Sequence, residues 1–128
     1  KCKEERHFAS RVTLANAPQH FSLLLVVPRG QSSSEEIGAV LELVPLTVDL
    51  SKLVGGFSHG GPKYRLRCMM CYYGAHFVLI AYKPKVRQWV QFDDTNVKAL
   101  GDWDAVRVKM AKGRVIPVVL FYESYTTA

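Results

Sequence analysis

Apolar positions along this chain follow two different periods. Phe21–Val27 is a short continuous apolar run rich in β-formers, closed by Pro28 and Gly30, and it reads as a buried strand. After Ser33 the period lengthens: Ile37, Val40, Leu41 and Val44 fall at i, i+3, i+4 and i+7, which puts them on one face of a helix. Ser33 and Glu36 have the spacing of a capping box at its start, and Pro45 ends it. Thr47–Leu50 reads as a short strand, and Gly55-Gly56 and Gly60-Gly61-Pro62 bracket a loop. From Lys63 the pattern is that of strands, over Lys63–Tyr73, His76–Tyr82 and Gln88–Asp93. Asp102 is placed to cap a second helix, with Trp103, Val106 and Met110 inward and Gly113 after its end. Val115–Tyr122 reads as a last strand, whose Pro117 marks it as an edge strand or a strand start. The expected fold class is α+β, a mainly antiparallel β-sheet with two helices.

Two of these strands bring a histidine towards acids. His76–Tyr82 and Arg87–Asp93 flank a short loop, Lys83–Val86, as a hairpin would. Pairing Tyr82 with Arg87 then sets Ile80 against Trp89, Val78 against Gln91 and His76 against Asp93. Directly opposed residues share a face, with Cβ atoms roughly 4.5–5.5 Å apart. A slip of one residue would bring in Asp94 instead. A carboxylate that accepts from one imidazole nitrogen fixes the tautomer and leaves the other nitrogen as a base. A hydrogen-bonded structural histidine at a sheet edge has the same pattern, and the spacing leaves both readings open.

Composition narrows the classes. With 128 residues the chain is one domain or less, and 48 % hydrophobic residues are enough for a core. The net charge of +6 raises nucleic acid or an acidic partner as candidates, although charges this scattered read mostly as a solvated surface. The Lys and Arg residues are scattered without a run of five, and no recognition motif accompanies them, so nucleic acid is not the expected partner. An odd count of three cysteines argues against a secreted disulfide scaffold. No signal segment and no apolar run of about 18 residues is read in the sequence, so a membrane partner is not expected and a cytoplasmic or nuclear setting is the expectation.

Neither a metal nor another cofactor is expected. Cys68 and Cys71 lie at odd spacing on a strand, on opposite faces, and Cys2 and His7 complete only a poor ligand set. Cys71 lies five positions before His76, but no oxyanion donor or helix N-terminus is near to activate its thiol. His20 and His59 read as surface loop residues, and Trp89 and Trp103 as core.

Four ordered elements carry a family resemblance: Tyr64–Gly74, then Ala75-His76-Phe77, then Trp89–Val97 with Phe92-Asp93-Asp94 at its centre, then Val118–Tyr122. Together they resemble the histidine box and closing strand of the ubiquitin-specific proteases, and Val48–Leu53 is similar to a short upstream segment of that family. The resemblance implies the sheet-rich, C-terminal half of a papain-like cysteine protease domain over residues 11–124, with 1–10 a polar lead-in and 125–128 a tail. It implies a thiol-dependent deubiquitinase in which His76 is the general base, Asp93 orients it and Asp94 is the second acid of the site. Phe77 and Gly74 match substrate-binding positions, Phe77 standing where the family has Tyr along the channel for ubiquitin's tail.

The implied partners are ubiquitin or its conjugates and a cysteine-bearing half-domain, because the family's nucleophile box and oxyanion donor are not in these residues. The chain alone is therefore expected to be inactive. Ala75 intervenes between Gly74 and His76, where family members have Gly directly before the histidine. That departure suggests a divergent subgroup, and the alternative reading is an inactive ubiquitin-protease-like binding or scaffold domain. Without the other half, apolar surface around Tyr73, Phe77 and Tyr82 is expected to be exposed.

Overall fold

The structure is a computed structural model that describes residues 18–26, 33–50 and 62–125. The loop around Gly55 and Gly60, together with Cys2, His7, Val27 and His59, lies outside the described residues. In chain order the elements are β1 (His20–Leu24), α1 (Ser34–Leu43), β2 (Thr47–Asp49), β3 (Lys63–Tyr73), β4 (His76–Lys83), β5 (Gln88–Asp93), β6 (Asn96–Gly101), α2 (Trp103–Gly113) and β7 (Ile116–Ser124). The strands form one seven-stranded sheet in the order β1-β7-β3-β4-β5-β6, with β2 also pairing β3. Every pairing is antiparallel, so the α+β expectation holds.

Both helices begin where their caps require. The Ser33 hydroxyl accepts from the Glu36 N–H at 3.1 Å, and the Glu36 carboxylate accepts from the Ser33 N–H at 2.8 Å. This reciprocal pair satisfies two of the donors that a helix start leaves open. Ile37 and Leu41 then face the core. In α2 the Asp102 carboxylate accepts from the Ala105 N–H at 2.9 Å, and Val106 and Met110 are buried. The helix ends one residue later than its sequence suggests: Gly113 is still helical, and the left-handed position falls on Arg114, at φ 58°.

Of the two readings of Pro117, the strand start holds and the edge does not, since β7 begins at Ile116 and lies between β1 and β3. Its Pro117 is tolerated as the second residue of the strand, beside a register shift where Cys71 takes Pro117 as its partner. A whole strand, β6, goes unseen in the sequence, because only Leu100 of its six residues is buried and no alternation marks it.

The core lies on one face of the sheet, under the two helices. There Tyr64, Leu66, Met69, Cys71, Val78 and Ile80 join Leu120 and Tyr122 beneath Ile37, Leu41, Val106 and Met110. Tyr64 and Tyr122 are the largest of the fully buried side chains. The Tyr122 hydroxyl donates to the Pro45 carbonyl at 2.8 Å, and that of Tyr64 donates to the Pro18 carbonyl. Each ring is thus buried without stranding its polar tip.

The opposite face carries a second apolar surface. Leu24, Val119, Met70, Leu79, Phe92 and Val97 are successive cross-strand partners and make a row across six strands. Beside it runs a second row, Phe121, Cys68, Ala81, Val90 and Ala99. Antiparallel sheets with one solvated face ordinarily alternate apolar and polar residues, so an apolar row on the helix-free side is unusual. Its outer members are open to solvent, Leu24 at 71 % and Val97 at 64 %.

Tyr73 and Phe77 are both exposed, as expected, but they do not form one patch with Tyr82. Tyr73 and Phe77 lie on opposite faces, because Tyr73 opposes His76 and Phe77 opposes Tyr72. Tyr82 is half-buried against Trp89 on the core side.

Exposed apolar rows of this length drive association. Static light scattering of the isolated chain should give an apparent mass that rises with concentration. Leu24→Lys with Val97→Lys should restore a monomer, and a wild-type chain that stays monomeric at millimolar concentration would contradict this.

Candidate functional site

The site is built by two hairpins that share β4. β3 turns into β4 through only two residues, with Tyr73 and His76 opposed. Gly74 and Ala75 both have positive φ, at 57° and 68°. Two successive left-handed residues are the signature of a type I′ turn, whose twist matches the flanking strands. This turn puts His76 at the first position of β4.

β4 then pairs with β5, but not in the expected register. Tyr82 faces Trp89, Ile80 faces Gln91 and Leu79 faces Phe92. Each partner lies two residues further along than the spacing suggests, because the turn consists of Pro84–Arg87 rather than Lys83–Val86. A shift of two leaves every side chain on its original face. His76 and Asp93 thus meet diagonally rather than directly. The long imidazole spans that offset, and its Nε2 lies 3.1 Å from the Asp93 Oδ1.

The other ring nitrogen, Nδ1, lies 3.3 Å from the Gly74 carbonyl oxygen. Both neighbours are acceptors, so the arrangement favours an imidazole that carries two protons. The His76 pKa is accordingly raised, first by the Gly74 carbonyl, then by the hydrogen bond and charge of Asp93, with a contribution from the Asp94 charge. The Tyr73 ring stands edge-on to the imidazole at 5.8 Å between centroids.

Of the residues singled out in the sequence, His76, Asp93 and Gly74 are brought together. Asp94 is the first residue of the β5–β6 turn, at φ 54°, and acts on His76 through its charge. Phe77 does not join them: it points to the other face, where its ring meets Tyr72 at 5.4 Å. Tyr73 was expected only in an exposed apolar surface and not beside the histidine, although a two-residue turn between Tyr73 and His76 would have placed it there.

No protein-family model matches the chain. Among curated proteins, ubiquitin carboxyl-terminal hydrolase 54 of Rattus norvegicus is 34 % identical over 122 residues, 88 % of this chain and 7 % of that protein. Ubiquitin carboxyl-terminal hydrolase 53 of Homo sapiens is 40 % identical over 55 residues, 42 % of this chain and 5 % of that protein. The chain belongs to a ubiquitin-specific-protease-like family. It spans about 7 % of the length of the hydrolase 54 proteins it matches. Among solved structures, the Saccharomyces cerevisiae Pan2 pseudoubiquitin hydrolase–RNA exonuclease module, in complex with A7 RNA, superposes with a TM-score of 0.57. That likeness has 19 % identity and covers 87 % of this chain and 21 % of the Pan2 chain, and it shows the shared fold.

In this ubiquitin-specific-protease-like chain the described cysteines are unsuited to attack. Cys71 is fully buried and opposes Val78, and burial pushes its thiol up to about 12. Only the thiolate is nucleophilic, so such a group is inert at neutral pH. Cys68 opposes Ala81 on the other face, and burial raises its pKa as well.

Ala75 occupies a left-handed conformation in which a Cβ is strained. Ala75→Gly should raise the stability by about 0.5–1 kcal/mol, read as a higher urea midpoint at unchanged m-value. The gain is smaller than the full strain because glycine also loosens the unfolded chain.

His76 should titrate above its ordinary value of 6.5 in an NMR experiment, and Asp93→Asn should lower that pKa. A raised histidine pKa means that its contribution to stability is complete below about 6.5 and is lost as the pH rises through the folded value.

Proposed function

We propose that this chain is the histidine- and acid-bearing part of a thiol-dependent deubiquitinase domain that hydrolyses ubiquitin isopeptide bonds. On this reading residues 11–124 are the sheet-rich half of the domain, and the nucleophilic cysteine comes from residues outside this chain. The observation that carries it is the 3.1 Å contact between the His76 Nε2 and the Asp93 Oδ1. With Nε2–H donated to the carboxylate, Nδ1 is the nitrogen left for proton transfer. It takes the thiol proton, the thiolate attacks the isopeptide carbonyl, and the imidazolium returns the proton to the departing lysine amine. This leaves a thioester, which a water deprotonated by the same imidazole then cleaves to ubiquitin's carboxylate and the free thiol. Asp93 keeps the ring in this tautomer and stabilises the imidazolium. Asp94 adds negative charge nearby. Gly74 and Phe77 are proposed substrate contacts on opposite sides of the hairpin end, and ubiquitin is the proposed partner.

A second reading has its own support. The Gly74 carbonyl engages Nδ1 at 3.3 Å, which ties up the nitrogen that the reaction needs. A site held in this state fits a ubiquitin-protease-like binding module without turnover.

Hydrolysis of a ubiquitin C-terminal fluorogenic amide by the intact parent protein separates the two. On the catalytic reading His76→Ala lowers kcat/KM by at least about 10³-fold and Asp93→Asn by about 10²–10⁴-fold. Ubiquitin binding without turnover would support the binding module instead. The isolated 128-residue chain should be inactive, and turnover abolished by Cys71→Ala would overturn the assignment of the nucleophile to another segment.

A further inference from the structure

Beside the His76–Asp93 pair, a cleft of about 700 Å³ opens between the end of the sheet and the C-terminal half of α2. Three lysines line it, Lys98 from β6 and Lys109 and Lys112 from α2. Among the described residues none of the three forms an ion pair. Lys109 donates to the Leu100 carbonyl at 3.0 Å, which ties the helix to the strand but leaves its charge unmatched. The cleft's carboxylate, Asp93, is already engaged by His76.

A lysine in the last turn of a helix complements the helix dipole and needs no ligand. That accounts for Lys112 but not for Lys98, which comes from the sheet and faces the same space. Leu100, Met110 and Val115 supply apolar lining between the cations.

The lining also includes Val97 and Lys98, neighbours that point to opposite faces of β6. The cleft therefore borders the β6 strand itself. β6 ends the strand order, so its outer backbone groups are unpaired by any described strand.

We propose that this cleft binds an extended acidic peptide segment, which lies along the β6 edge and sets its carboxylates against Lys98, Lys109 and Lys112. Open strand edges take peptides through backbone hydrogen bonds, while side-chain contacts select the sequence. Alternating acidic and aliphatic residues match the cations and the apolar lining. The net charge of +6 favours the approach of such a segment. The inference goes beyond the proposed hydrolysis and does not require His76 to act as a base.

The test uses the 128-residue chain and a fluorescein-labelled octapeptide of alternating Glu and Val, with a Lys–Val octapeptide and a single-stranded RNA of equal length as comparisons. Saturable binding of the Glu–Val peptide, weakened by salt, is expected. Amide shifts should concentrate in 96–100 and 109–115. Lys98→Gln with Lys112→Gln, both exposed and therefore compatible with folding, should weaken binding at least about tenfold. Charge reversal, Lys98→Glu with Lys112→Glu, should abolish it. The proposal is overturned by equal binding of the Lys–Val peptide, by tighter binding of the RNA, by shifts centred on the opposite sheet face, or by undiminished binding of the double variants.

Discussion

The arrangement of this molecule depends on a change of phase in its longest strand. β3 begins with Tyr64 and Leu66 buried and continues with Met69 and Cys71 buried. The parity changes at Arg67, the extra residue between the partners of Tyr122 and Phe121 on β7. An inserted residue of this kind bends a strand and re-aims all that follow it. Because β4 is paired residue by residue with the second half of β3, its face is set by that insertion. Val78 and Ile80 turn to the core, and His76 turns with them. Without the insertion, the second half of β3 and, through their pairing, β4 and β5 would present the other side to the helices, and His76 and Asp93 would turn together to the helix-free face.

The site is consequently a product of sheet geometry more than of loops. Its histidine is held by a tight turn and its acid by a neighbouring strand. The cost is local: Ala75 accepts a left-handed conformation that glycine would adopt without strain. The consequence is chemical, since the same tight turn brings the Gly74 carbonyl up to Nδ1 and raises the pKa of the ring that Asp93 orients. A base needs a free nitrogen, and whether the carbonyl yields to a thiol decides between the two readings of this ubiquitin-specific-protease-like chain.

Strands buried on both sides read as continuous apolar runs, whereas a solvated face alternates. The rows through Met70, Leu79 and Phe92 make the sheet apolar on both sides along its middle. Charged residues flank these rows, with Lys83 over the Phe92 ring, and the lysines of β6 and α2 line the cleft next to the acid.

The sequence by itself determined the element types wherever a local rule was strong. The capping box at Ser33, the Asp102 cap, the long strand from Lys63 and the sharing of one face by His76 and Asp93 all follow from spacing. The ordered motifs around His76 and Phe92-Asp93-Asp94 were enough to indicate the family. Tertiary structure decided the rest. β6 carries one buried residue, so it is a strand only because β5 offers it a ladder. β7 is central although it contains a proline, because a register shift beside Pro117 accommodates the missing donor. The β4–β5 register depended on which residues form the turn, which neighbouring strands settle collectively. The separation of Tyr73 from Phe77, and the gathering of Lys98, Lys109 and Lys112 from distant positions, exist only once the chain is folded, since no local periodicity links residues of a strand to those of a helix.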